Sequence, residues 1–80
     1  MATREEFTVN QLKKLGERIR SIRKEKGFTN YEYFAYEHKF PRSQFGRYEN
    51  GEDLRFSSLC KIVHAFDMTL EEFFSEGFEN

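Results

Sequence analysis

The chain has 80 residues, of which 34% are charged and 18% aromatic, and its formal net charge is −1. This composition predicts a globular chain rather than a disordered one, and the length predicts a single domain over 1–80 with one small core at about residues 8–75. The single cysteine, Cys60, excludes an internal disulfide, and no apolar run is long enough to span a bilayer or to serve as a signal peptide. We therefore expect a cytoplasmic protein that contacts no membrane.

Charge is distributed unevenly along the chain. Between Gln11 and Lys26 seven basic residues accompany only two acidic ones, whereas the segment from Glu71 onward contains four glutamates and no base. A chain that is neutral overall but divided in this way can present one positive surface. The alternative is that the bases of the first segment form an ordinary solvated helix face.

The N-terminal third predicts one amphipathic helix. A capping box over residues 8–11 would start it with Thr8 as the cap, although Asn10 is an alternative cap, and residues 1–7 would form a loose arm. Apolar residues then recur at spacings of three and four, at Leu12, Leu15, Ile19 and Ile22. Gly16 within this helix would allow a neighbouring helix to pack closely, and Gly27 would end the helix.

Residues 29–51 predict two short helices joined by a tight turn. The first would start with a capping box at Thr29 and place Phe34 and Ala35 inward; the second would open at Pro41 and end at Asn50-Gly51. Phe45 and Tyr48, three residues apart, would form the inner side of the second helix. The other side would present four residues without an acidic neighbour: Arg42, Ser43, Gly46 and Arg47.

The remaining residues predict two more helices. Either Leu54 or Phe56 of the connector would turn inward, and either Ser57 or Ser58 would cap helix 4, which would end at Asp67. The core side of helix 4 would consist of Leu59, Ile62, Val63 and Phe66. A third capping box at Thr69 would open helix 5, with Leu70, Phe73 and Phe74 as its apolar residues, and residues 76–80 would fray. Because no stretch shows useful strand-like alternation, the prediction is an all-α domain of five helices.

The segment 29–51 resembles the helix-turn-helix of the phage repressor and Cro family, the xenobiotic-response-element type. The wider run from Leu15 to Phe74 is similar to the same family, and its most specific parts are 27–51 and the ending Glu49-Asn50-Gly51. The resemblance implies a lambda repressor-like fold with a helix-turn-helix. It also implies a transcriptional regulator that binds double-stranded DNA, without a cofactor, as a homodimer on a palindromic site.

Three positions depart from the family pattern. One extra residue precedes the Phe34-Ala35 pair, so the family's phosphate-contacting glutamine maps onto either Asn30 or Tyr31. Lys39 replaces the usual glycine of the turn. Because a lysine in the left-handed conformation costs on the order of 1 kcal/mol, either the turn is strained or its shape differs from the family's. Pro41 replaces the usual capping serine or threonine, although its fixed φ suits a helix start.

The resemblance and the side of helix 3 that bears the arginines together predict the DNA contacts. Arginine matches the O6 and N7 acceptors of guanine, and a glycine on the same side would allow close approach to the groove floor. The predicted base-reading residues are Arg42, Ser43, Gly46 and Arg47; the predicted phosphate contacts are Asn30, Tyr31, Gln44, Asn50 and Arg55. The alternative for the arginines is a solvated helix face.

Neither enzymatic chemistry nor a metal site is indicated by the sequence. His38 and His64 have no partner at metal-ligand spacing, Cys60 lies beside the core residues of helix 4, and no nucleophile-and-base set is present. A dense group of aromatic residues lies near the turn: Phe28, Tyr31, Tyr33, Phe34, Tyr36 and Phe40. Most of them would pack the core, and exposed tyrosines would meet phosphates or a protein partner. The alternative function is therefore a protein-interaction module, such as an antitoxin, with weak or no DNA binding.

Overall fold

A computed structural model describes residues 2–79 of the chain and contains five α-helices, with no strand among those residues. The helices are α1 (Arg4–Glu25), α2 (Tyr31–Glu37), α3 (Arg42–Glu49), α4 (Phe56–Ala65) and α5 (Leu70–Phe73). The domain measures 41 × 24 × 22 Å. The predicted all-α architecture of five helices is thereby confirmed.

Helix α1 begins earlier than the sequence pattern indicated. The hydroxyl of Thr3 accepts a hydrogen bond from the N–H of Glu6 at 3.1 Å, and the Glu6 carboxylate accepts one from the N–H of Thr3 at 3.0 Å. Hydrogen bonding of the Glu6 carboxylate to the backbone N–H of Thr3, and then to the Thr3 side chain, lowers the pKa of Glu6. The predicted loose arm and the caps at Thr8 or Asn10 are therefore wrong, except that Met1 lies outside the described residues. Thr8 instead donates its hydroxyl to the carbonyl of Arg4 at 2.8 Å.

The other helix starts differ in how they are capped. Asn30, and not Thr29, caps α2, because its side-chain oxygen accepts from the N–H groups of Glu32 and Tyr33. The predicted capping box of α5 is confirmed at Thr69. Helix α4 starts at Phe56 with Arg55 in the cap position, so the predicted serine caps are wrong.

The core forms around Phe34 of α2. The centre of its ring lies 5.1–5.2 Å from the ring centres of Phe28, Phe45 and Phe66. The other buried apolar residues of the core are Leu15, Ile19, Ile22, Ala35, Leu59, Ile62, Val63 and Phe73. The predicted inner faces of α1 to α4 are therefore confirmed, apart from the half-buried Leu12 and Tyr48. Of the two connector residues that could turn inward, Leu54 does so and is half-buried, whereas Phe56 is 63% exposed.

Helix α5 buries only one of its three predicted apolar residues. Phe73 is fully buried, whereas Leu70 and Phe74 are exposed. After the helix the chain turns back, and the half-buried Phe78 packs against the ring of Phe74 at 5.0 Å between centres. The backbone carbonyl of Glu79 accepts a hydrogen bond from Lys14 at 3.3 Å. The predicted fraying of residues 76–79 is therefore wrong, and Asn80 lies outside the described residues.

Helices α1 and α3 cross closely at Gly16. A Cβ at this position would lie 2.5 Å from the backbone oxygen of Glu49 and 2.8 Å from that of Tyr48, distances that no side chain tolerates. The predicted close approach at Gly16 is confirmed, and it fixes the C-terminal end of α3 on α1.

Two arginines of α1 are buried and link the helices. Arg23 donates two hydrogen bonds to the buried carboxylate of Glu49, at 2.7 and 3.0 Å, and a third to the backbone oxygen of Phe28. Arg18 donates to the last carbonyls of α5, those of Phe73 at 2.7 Å and Glu72 at 3.1 Å. Within residues 2–79 no buried side-chain nitrogen or oxygen lacks a hydrogen-bond partner. Because both side chains are buried, neither arginine contributes to the positive surface that the uneven charge distribution predicts.

The turn between α2 and α3 contains a lysine in the left-handed conformation. Lys39 has a φ of 62°, and the N–H of the next residue, Phe40, reaches back to the carbonyl of Ala35 at 2.8 Å. Of the two alternatives for this turn, the strained left-handed lysine is therefore the one observed.

We predict that Lys39→Gly stabilises the protein by up to about 1 kcal/mol, because glycine removes the steric cost of this conformation but adds freedom to the unfolded chain. Urea unfolding of the two proteins measures the difference. Asp67 occupies the same position after α4 with a φ of 60°, and aspartate tolerates this region better. Asp67→Gly should therefore gain less, and a lower stability of Lys39→Gly would contradict the prediction.

Candidate nucleic-acid interface

Helix α3 lies with one side on the protein and the other in solvent. It packs against both α1 and α2, with Phe45 buried and Tyr48 half-buried on its inner side. Four predicted DNA-contacting residues of this helix are exposed: Arg42, Ser43, Gln44 and Arg47. The scaffold therefore holds α3 firmly while its polar side chains remain accessible.

Gly46 does not belong to this accessible side. It is buried, and a Cβ built on it would lie 2.6 Å from a carbon of the Tyr31 ring and 2.9 Å from the Tyr31 hydroxyl oxygen. The prediction that Gly46 opens α3 to a DNA groove is therefore wrong in its geometry. The missing side chain instead allows Tyr31 to lie directly on α3, so that this glycine sets the distance between α2 and α3.

An acidic residue from outside α3 also lies next to the accessible side of this helix. Glu52, from the segment after the helix, places its carboxylate 3.8 Å from the Nε atom of Arg47. Both side chains are more than half exposed, at 60% and 55%. An exposed ion pair of this kind contributes about 0–1 kcal/mol, so Arg47 can exchange Glu52 for another anion at little cost.

The predicted phosphate contacts divide into two groups. Gln44 and Arg55 are exposed, and no hydrogen bond or ion pair of either side chain is seen in the described part of the chain. The other three take part in the fold: Asn30 caps α2, Tyr31 covers Gly46, and Asn50 accepts a hydrogen bond from Arg20 at 3.2 Å.

Arg20 is a residue of this region that sequence reasoning left aside. Its guanidinium is 43% exposed and reaches both the Asn50 side chain and the Glu49 carboxylate, the latter at 3.5 Å. It thereby orients Asn50 at the end of α3. No spacing rule could reveal this contact, since the two residues lie 30 positions apart on different helices.

The N-termini of α3 and α4 differ from those of the other helices. Helices α1, α2 and α5 each have a side-chain cap and at least one glutamate in the first turn. Helices α3 and α4 have neither. Uncapped N–H groups and the positive end of the helix dipole favour an anion. The sequence contains a signal for these uncapped N-termini, because the cap positions are occupied by Pro41 and Arg55 rather than by Ser, Thr, Asp or Asn.

The exposed side of α2 has the opposite electrostatic character. Tyr33 is 57% and Tyr36 71% exposed. The negative charge of Glu37, and then its hydrogen bond, raise the pKa of the Tyr33 hydroxyl. A phosphate would be repelled by this carboxylate, so these two tyrosines do not extend the positive surface of α3.

Within residues 2–79 there is no cluster of three metal-ligating side chains, and no helix long and apolar enough to cross a membrane. Comparison of the chain with protein-family models, with curated proteins and with solved structures gave no match.

Proposed function

We propose that the protein binds double-stranded DNA sequence-specifically, as a small transcriptional regulator in which α2 and α3 act as a helix-turn-helix. The observation that carries this proposal is the accessible side of α3, where Arg42, Ser43 and Arg47 are exposed while the opposite side is held against α1 and α2. A rigid helix with exposed arginines suits the major groove, where their forked donors match guanine.

The spacing of the two arginines fits reading within one groove. Five residues of an α-helix rise about 7.5 Å, and base pairs follow one another at about 3.4 Å. Arg42 and Arg47 would then reach base pairs roughly two steps apart, with Ser43 between them able to bond a base or a phosphate. Arg47 would give up its exposed contact with Glu52 to do so.

Phosphate contacts would flank this reading helix. The uncapped N-termini of α3 and α4, with the exposed Gln44 and Arg55 beside them, offer N–H groups and a positive charge to the DNA backbone. Asn50, oriented by Arg20, would supply a further contact at the other end of α3. At the start of α2, either Asn30 or Tyr31 would take the remaining contact.

A comparison of arginine variants tests the proposal. We expect Arg42→Ala and Arg47→Ala each to cost about 1–3 kcal/mol on the preferred site, and the loss to shrink on a site already changed at the matching base pair. Arg55→Ala is the matched control, because a phosphate contact should weaken binding to all sequences alike. The measurement is competition against a library of single-base variants of the site. A uniform loss for Arg42→Ala and Arg47→Ala would make α3 an electrostatic anchor rather than a reader.

We further propose that the regulator binds as a homodimer. One reading helix buries little surface, and two copies would span half-sites about 34 Å apart. The exposed Phe74, next to the half-buried Phe78, is the proposed contact between copies. Sedimentation of the protein–DNA complex should show two copies per site, and Phe74→Ser should weaken pairing while leaving the fold intact. One copy per site would exclude the dimer.

The exposed side of α2 favours the second function, a protein-interaction module. Two accessible tyrosines beside a carboxylate are typical of a protein contact and unfavourable for a phosphate. A gel shift with random duplex pools at low salt distinguishes the two functions. A folded protein that retains no duplex would support the interaction module and exclude DNA binding.

A further inference from the structure

An open groove separates α4 from the turn between α2 and α3. Its volume is about 620 Å³, and we name it the α4 groove. Four of its lining residues are apolar, Phe40 and Pro41 on the wall formed by the turn and Ile62 and Ala65 on the wall formed by α4. None of the hydrogen bonds and ion pairs of the fold described above crosses it, so its shape is set by the packing of the two walls.

Two lysines give the rim of the α4 groove a positive charge, and two histidines also line it. Each wall contributes one lysine and one histidine: Lys39 and His38 from the turn, and Lys61 and His64 from α4. All four are exposed, and no ion pair of either lysine is seen among residues 2–79. The His38 ring also packs against Phe34, with ring centres 4.4 Å apart. All 14 acidic residues of the chain lie within the described residues 2–79, and none of them lines this groove.

We propose that the α4 groove binds a small organic anion with a flat apolar body, such as an aromatic carboxylate or sulfonate. The volume lies within the range of about 300–1,000 Å³ that is usual for small-molecule sites. The apolar lining residues would contact the body, and the positive charges of Lys39 and Lys61 would attract the anionic group. A protein partner is less favoured, because a cleft of this size offers too little area for a stable interface.

The α4 groove is distinct from the proposed DNA-reading residues but adjoins them. Pro41 and Gln44, which line it, also belong to the start of α3, so a bound anion would lie beside the DNA surface. Anion binding in the groove does not depend on DNA binding, and the titration below contains no DNA.

Fluorescence titration of the full chain with anilinonaphthalene sulfonate tests the site. We expect saturable one-to-one binding that Lys61→Glu weakens by about tenfold or more, because a repulsive charge replaces an attractive one. Lys24→Glu, an equal charge change on an exposed residue of α1 outside the groove, should leave the affinity nearly unchanged. Phenylnaphthylamine, the uncharged counterpart of the probe, should bind more weakly than the sulfonate and equally to all variants.

Cys60 provides an independent readout, since it is the only cysteine and a half-buried lining residue of the groove. The probe should slow its alkylation by iodoacetamide, with half of the effect at the dissociation constant from fluorescence.

Circular dichroism checks the fold of each variant. If Lys61→Glu is unfolded, Lys39→Gly replaces it, because we expect that variant to be stable and to weaken binding severalfold. Unsaturable binding, equal effects of the groove variant and Lys24→Glu, or unchanged alkylation at probe saturation would each overturn the proposal.

Discussion

Raising the salt concentration from about 50 to 200 mM should lower the affinity for duplex DNA by roughly 10³–10⁵, if a dimer neutralises about 6–10 phosphates. The physical reason is that cations condensed on the DNA are released when basic groups and helix N-termini replace them. The basic groups available are exposed ones, such as Arg42, Arg47 and Arg55. The buried Arg18 and Arg23 contribute nothing to this term.

Fluorescence anisotropy at five or six salt concentrations measures the slope of log affinity against log salt. Arg55→Ala should reduce the slope by about one, and Lys24→Glu, which changes an exposed base on α1, should leave it nearly unchanged. A slope near zero would contradict the proposed phosphate contacts, and no binding at low salt by the folded protein would exclude DNA as the partner.

Arg23→Met should destabilise the fold by about 3–5 kcal/mol, because it leaves the carboxylate of Glu49 buried without its main partner. The wild-type pair is joined by two short hydrogen bonds, and both side chains are at most 5% exposed. The variant also removes the donor to the Phe28 carbonyl. The free energy of unfolding of a native protein is only about 5–15 kcal/mol, so this loss is a large share of the total stability. Urea unfolding at low temperature measures it.

Arg20→Ala is the matched control for that prediction. Arg20 contacts the same carboxylate of Glu49, but from the surface, at 3.5 Å and with 43% of its side chain exposed. Removing it should cost about 0–1 kcal/mol. The double variant Arg23→Met with Glu49→Leu should recover part of the loss, since it removes the buried charge together with its partner. Equal effects of Arg20→Ala and Arg23→Met would show that burial does not govern the strength of this pair.

The helices and their inner faces followed from the sequence because they depend on local spacing. Ile19 and Ile22, like Ile62 and Phe66, recur at helical intervals, and that period alone places them on one side. The chain ends were harder to predict. Thr3 and Glu6 form a capping box like that of Thr69, but the short run before the first apolar stripe offers no periodicity to support it.

The sequence by itself determined the five helices, the core stripes, and the exposure of Arg42, Ser43 and Arg47, because each depends on residues only a few positions apart. Only the tertiary structure decided three things: that Arg18 and Arg23 are buried, that Gly46 makes room for the Tyr31 ring, and that Glu52 lies beside Arg47. Arg23 meets Glu49 from 26 positions away, and Tyr31 covers Gly46 from the neighbouring helix. Such contacts arise where helices cross, and the crossing is set by the packing of the whole core, which no local period encodes.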